Sequence, residues 1–218
     1  MTKFLELTFI CFLAAGCSAA QDCKEGINLL PMYGNVKKCE QQLAADREFI
    51  ASIDSKYKDR KTAASEIVES GWYYFYKNEL ETSMKRFNQA WLLDSLNSEV
   101  YWGFGNLLGR KGSFKASIPY FKRSLKLKKD NPKVYESLST SYGQLYVKTK
   151  DRKMLDKAVE CLKKANSLDK NNPRILAQLT AAYCYYSRKD SAYKYKELTD
   201  RIDPEAIPTR IRAFLSQK

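Results

Sequence analysis

Histidine is absent from all 218 residues, and this absence excludes more than any residue present. No Ser-His-Asp or Cys-His nucleophile can be assembled, and no histidine metal site. Proton transfer near neutral pH would need a strongly shifted carboxylate, lysine or cysteine. Phosphate-cradling glycine loops, paired-cysteine metal motifs and nucleophile elbows are also missing, and the acidic residues are dispersed without a catalytic pair. The chain reads as a non-enzyme without a cofactor. Nine glycines and six prolines are too few for a low-complexity chain. With 44% hydrophobic and 29% charged residues, the composition is that of a globular protein with a proper core.

The one apolar run near the start, Leu7 to Ala15, follows Lys3 and is too short to span a bilayer. It has the layout of a secretory signal, although Glu6 is unusual there. Leu13-Ala14-Ala15-Gly16-Cys17 resembles the lipobox of bacterial lipoproteins, with Ala14 where Leu is more usual. The resemblance implies a signal peptide over 1–16, a lipid on Cys17 as the new N-terminus, and a tether over 17–34. Ser18 rather than Asp after Cys17 implies, by the same resemblance, sorting to the outer membrane, facing the periplasm. Ordinary cleavage after Ala20, at Ser18-Ala19-Ala20, is the alternative.

Of six cysteines, Cys11 would leave with the signal and Cys17 would carry the lipid. In an oxidising compartment an even remainder invites pairing. Cys23 and Cys39 flank Pro31-Met32-Tyr33-Gly34 and are the candidate disulfide. Cys161 and Cys184 fall on neighbouring antiparallel helices with an axial offset near 9 Å, about 1.5 Å per residue, too far to bond. They read as small core residues.

A period of 34 residues organises the rest. Gly71 and Gly105, Phe87 and Phe121, and Ala90 and Ser124 are each 34 apart, as are Leu162 and Lys196, and Ala165 and Thr199. Tyr101-x2-Phe104-Gly105-x2-Leu108 followed by Ser117-x3-Phe121-x2-Ser124 resembles the tetratricopeptide repeat, a helix–turn–helix unit with small residues at helix contacts. Ile67-x2-Ser70-Gly71-x2-Tyr74 with Ser83-x3-Phe87-x2-Ala90 gives another unit, and Tyr135-x2-Leu138-Ser139-x2-Tyr142 with Ala158-x3-Leu162-x2-Ala165 a third. Leu176-x2-Leu179-Thr180-x2-Tyr183 with Ala192 gives the fourth, which departs from the pattern at Lys196 and Thr199. Seven extra residues around Lys148–Arg152 imply either a lengthened helix or a longer turn.

The resemblance implies an all-α, right-handed α-α superhelix with units at 64–97, 98–131, 132–172 and 173–204. Apolar residues at Leu43, Phe49, Ile50 and Ile53 predict an N-terminal packing helix within 35–60. Ile207, Ile211 and Leu215 predict a C-terminal cap over 205–218. Leu30–Gly34, Arg86–Trp91 and Tyr101–Gly105 also resemble a group of small exported bacterial tetratricopeptide proteins.

In this family the first helix of each unit lines a concave groove that binds protein segments. Carried over by spacing, the groove comprises Val68, Trp72, Phe75 and Tyr76, then Glu99, Trp102, Asn106 and Arg110, then Lys133, Glu136, Thr140 and Gln144. Trp72 and Trp102 are the candidate anchors; their alternative role is packing between the N-terminal helix and the first unit. The carboxylate clamp of the family's chaperone-associated branch would fall on Val68, Trp72, Gly103, Lys133 and Ser137, of which only Lys133 suits it.

The formal charge is +13, and eight basic residues with no acid lie between Arg110 and Lys129. Lys115, Lys122, Arg123, Lys126 and Lys129 form a basic stripe on the second helix of unit two, on the convex side. It reads either as a solvated surface or as a site for anionic lipid, glycolipid or polymer. Nucleic acid is disfavoured by export and by the lack of any binding motif. The expected function is a membrane-anchored envelope adaptor that grips a protein partner in its groove.

Overall fold

The computed structural model describes residues 23–186 and 188–217. The signal segment 1–16 and Cys17 lie outside them. The described residues are helical, without strands. After α1 (Glu40–Asp54) come four antiparallel pairs: α2 (Arg60–Tyr76) with α3 (Leu80–Leu93), α4 (Ser98–Arg110) with α5 (Phe114–Leu127), α6 (Pro132–Thr149) with α7 (Arg152–Leu168), and α8 (Pro173–Tyr185) with α9 (Lys189–Asp200). A 3-10 turn at Pro204–Ala206 leads into α10 (Thr209–Ser216). The seven extra residues lengthen the third pair's helices, since Lys150 and Asp151 alone separate α6 from α7.

Local sequence sets the helix ends. Asp59, Asn97, Asn131, Asp151 and Asn172 accept backbone N–H bonds at the starts of α2, α4, α6, α7 and α8. Pro132 and Pro173 occupy first turns, where no N–H is needed. The turns within the first three pairs each contain a left-handed residue, Asn78, Gly112 and Lys150.

The 34-residue spacings become helix contacts. Phe87 is fully buried between α2 and α4, so close that a Cβ on Gly71 would lie 3.0 Å from its ring and one on Gly103 2.4 Å. One period later, a Cβ on Gly105 would come within 2.5 Å of Phe121. Ser83 donates to the Gly71 carbonyl, and Ser117 bonds Ser141, so both buried hydroxyls are satisfied.

Both ends are covered. At the C-terminus Ile207, Ile211 and Leu215 are buried, and Arg212 and Lys196 both pair with Asp200. Those bonds hold the carboxyl of Asp200 below the usual carboxylate range. Thr199, which departs from the repeat pattern, is buried and bonded to the Tyr195 carbonyl.

The N-terminus differs from the sequence expectation. The helix within 35–60 spans only Glu40–Asp54 and buries Ile53 alone. The cover is instead Ile27–Asn35, within the segment expected to be a tether. Ile27, Pro31 and Tyr33 are buried, and Cys23 is bonded to Cys39. Met32 to Asn35 all have positive φ, a conformation that costs non-glycine residues about 1–2 kcal/mol each. Asn88, fully buried on α3, holds this turn: its amide donates to the Asn28 and Leu30 carbonyls, and its oxygen accepts from the Tyr33 N–H. Lys38 covers the other face of the Tyr33 ring at 3.2 Å.

The packing generates three predictions. Gly103→Ala should lower stability by about 3 kcal/mol, because the Phe87 ring has no room to move. Gly143→Ala, in the interior of α6 with nothing within 4 Å of a new Cβ, should raise it by about 0.5–1 kcal/mol. Urea denaturation measures both. Asn88→Ala should cost about 1–3 kcal/mol, because it leaves the Asn28 carbonyl without a donor and removes the second partner of the Leu30 carbonyl and the Tyr33 N–H, which still bond each other; trypsin should then cut at the exposed Lys37 faster than in the native chain.

Candidate protein-binding groove

The first helices of successive pairs place side chains at matching heights, and α2, α4, α6 and α8 together line one concave cleft of about 450 Å³. Trp72, Phe75 and Tyr76 come from α2, and Trp102, Asn106 and Arg110 from α4. Lys133 and Glu136 come from α6. The structure thus brings all eight of these residues together around one space.

The two indoles are half-buried and touch, with ring centroids 4.4 Å apart. Trp72 also packs edge-on against Phe75 and Phe87 at 5.4 and 5.3 Å, so it rests on the core of the first unit. Trp102 donates its N–H to Ser137 Oγ at 3.0 Å across to α6. Neither lies between α1 and the first pair. Both line the groove while packing on neighbouring rings, Trp72 on Phe75 and Phe87 and Trp102 on Trp72. Arg110 sits over the Phe75 ring at 5.1 Å, a contact worth about 0.5–1 kcal/mol at an exposed site. Tyr76 projects into solvent.

Glu136 differs from the others. It is 7% exposed, and both of its carboxylate oxygens are occupied: Arg174 donates to one and Gln178 to the other, each at 2.6 Å. It therefore ties α6 to α8, with no free oxygen aimed at a partner. Val68, expected in the groove, is a core residue at 5% exposure, and Gly103 is packed against Phe87, so the chaperone-type clamp has no site here. Glu99 is half-buried and accepts from Asn131 Nδ2 at 3.3 Å. Burial raises its pKa above the usual value, opposed by Lys128 and Lys133.

Arg174 also lines the cleft. It follows Asn172-Pro173 as Lys133 follows Asn131-Pro132, a correspondence hidden by the seven-residue insertion in the third pair. Beyond Thr140 a second cleft of about 310 Å³ continues the trough, lined by Gly143, Tyr146, Val147, Ala181 and Tyr185 among others.

Lys115, Lys122, Lys126 and Lys129 of the basic stripe are exposed on α5 and its C-terminal end, and none lines either cleft. None forms an ion pair among the described residues. Arg123 is half-buried over the Tyr101 ring, which takes it out of a continuous stripe. Cys161 and Cys184 are free, and burial pushes both thiols up, Cys161 to about 11. Such thiols are poor nucleophiles. Among the described residues no cluster of His, Cys, Asp or Glu could hold a metal ion, and no helix is long and apolar enough to cross a membrane.

A family model described as tetratricopeptide repeat matches residues 98–131. No curated protein matches. Several solved structures share the fold. A crystal structure of MamA is 19% identical, with a TM-score of 0.57 over 73% of this chain and 86% of that one. Pseudomonas aeruginosa pilF is 21% identical, with a TM-score of 0.58 over 82% and 75%. The first repeat domain of Spaghetti (RPAP3), bound to the HSP90 peptide SRMEEVD, is 16% identical, with a TM-score of 0.52 over 58% and 95%. The chain thus carries a tetratricopeptide repeat and folds as a solenoid of such units.

Because the pKa of Glu99 is raised, its ionisation disfavours the folded state, and stability falls as pH rises through the interval between its unfolded and folded values. Glu99→Gln removes that effect and keeps an acceptor for Asn131. The variant should melt above the native chain at pH 7, and the gap should close as pH drops below the ordinary glutamate range. Melting temperatures measured against pH check both sign and window.

Proposed function

We propose that this tetratricopeptide solenoid is an envelope adaptor, anchored by a lipid on Cys17, that grips a segment of a protein partner in its concave cleft. The observation that carries the reading is the convergence of eight residues from three units on one open space, with two indoles in contact at its centre. Large aromatic side chains with one face already fixed lose little entropy on binding, which is why they dominate interfaces. In the RPAP3 domain the same fold is seen with a bound peptide. The address rests on the Leu13–Cys17 sequence, and the Cys23–Cys39 bond favours an oxidising compartment over the cytosol.

A second reading has its own observation: four exposed lysines on and beside α5, unpaired among the described residues, could hold an anionic glycolipid or polymer. The two separate by where they are blocked and by salt. Gly109 lines the cleft and has open space around a new Cβ, so Gly109→Phe obstructs the cleft without entering the core. In a pull-down of the detergent-solubilised full chain, an envelope protein should be retained by the native chain at about 0.5 M salt and lost with Gly109→Phe. Retention by Gly109→Phe, with loss in salt and in a Lys115/Lys122/Lys126/Lys129→Ser variant, would instead select the basic face.

A further inference from the structure

The cleft's chemistry is one-sided. Its one carboxylate, Glu136, is occupied by Arg174 and Gln178. The Trp102 N–H donates to Ser137 Oγ, whose own hydroxyl donates to the Lys133 carbonyl, and the Asn106 amide donates to the Trp102 carbonyl. The other charged groups of the lining are cationic. Arg110 and Lys133 are exposed at the rim and form no ion pair among the described residues; Arg174 commits one nitrogen to Glu136 while its side chain is 67% exposed. Glu99 senses Lys133 only at longer range. Three positive heads therefore surround an aromatic floor with hydrogen-bond donors to offer.

The second cleft is mainly apolar, with Arg210, Gln144 and Gln178 also in its lining. Val147, Ala181 and Tyr185 line it with Gly143, and Val147 and Tyr185 are 45% and 46% exposed. Thr140 lines both clefts, so the cationic–aromatic space and the apolar space form one trough.

Resting on the groove reading, we infer that the trough selects an extended polypeptide segment of defined polarity: an acidic side chain seated among Arg110, Lys133 and Arg174, with apolar side chains next to it over Val147, Ala181 and Tyr185. Charge complementarity fixes the first half, since the lining carries three cations against one carboxylate and that carboxylate is taken by Arg174, which leaves Arg110 and Lys133 to be compensated by an anionic group. The mainly apolar second cleft favours a polypeptide over an acidic polysaccharide, because a sugar polymer would lay hydroxyls against Val147, Ala181 and Leu155, whereas apolar side chains gain by covering them. An extended segment advances about 3.3 Å per residue with side chains alternating sides, so side chains two positions apart face the same trough and can fill neighbouring clefts.

The test is panning of phage-displayed random dodecapeptides against the full chain in detergent micelles, beside Gly109→Phe and a charge-reversed Arg110→Glu/Lys133→Glu variant, both confirmed folded by their melting curves. The expected result is enrichment of Asp or Glu next to a run of Leu, Phe, Val or Ile on the native chain. Those peptides, synthesised with a fluorescent label, should lose at least about tenfold in affinity with the charge-reversed variant and all binding with Gly109→Phe. Peptides that need the cleft but carry no acidic residue would overturn the inference and leave the groove reading standing. Peptides bound equally by Gly109→Phe would overturn both. Binding of heparin that charge reversal abolishes, with no peptide enriched, would overturn the polypeptide assignment in favour of an anionic polymer.

Discussion

The contact on which the solenoid depends is a phenylalanine ring held where two helices have no side chain. Phe87 lies between Gly71 of α2 and Gly103 of α4 at distances that a Cβ on Gly103 could not share. It thereby fixes both the packing within the first pair and the step to the next. Phe121 against Gly105 repeats the device one unit on. A ring this size removes a large apolar area from water, but in a one-dimensional array its position matters as much as its area. Because α2 and α4 are set by the same ring, the distance between Trp72 and Trp102 is set with them, and Trp72 itself packs on Phe87. The geometry of the groove floor is thus inherited from the core.

The repeats were legible because their cause is periodic. The pairs Gly71/Gly105 and Phe87/Phe121 recur at the interval at which the helices recur, so spacing alone reports the contact. Most groove positions were legible for the same reason. Where period and cause part company, legibility ends. Val68 has helical spacing appropriate to the groove but faces the core, and Glu136 reaches the cleft only to be closed off by Arg174 and Gln178. Arg174 itself was obscured by the seven residues that lengthen α6 and α7.

The N-terminal cover was illegible for a different reason. Its left-handed turn at Met32–Asn35 has no periodicity and sits in a conformation that three of its residues disfavour. What holds it is Asn88, more than fifty positions away in sequence. Yet Leu30–Gly34, Arg86–Trp91 and Tyr101–Gly105 meet in this corner. Leu30–Gly34 is bound by Asn88, Trp91 packs edge-on against Tyr33, and the Trp91 N–H donates to the Tyr101 hydroxyl. Nothing in their spacing reveals that a buried amide joins them. Their task is to close the open end of the array.

The Glu136 clip shows how the groove stays fixed while it remains open. An ionised carboxylate at 7% exposure is tolerated only because two donors reach it. Both donors come from the next helix pair, so the clip spans the junction between units three and four, where the lengthened helices interrupt the 34-residue step. A trough lined by four helices binds well only if they do not shift against each other, since ordering them at the moment of binding would subtract from affinity. In the first half of the array Phe87 and the paired indoles provide that rigidity by packing. In the second half, beside the lengthened helices, a buried ionic bridge provides it, and because that bridge uses the carboxylate of the cleft's lining, Arg110 and Lys133 form no ion pair among the described residues.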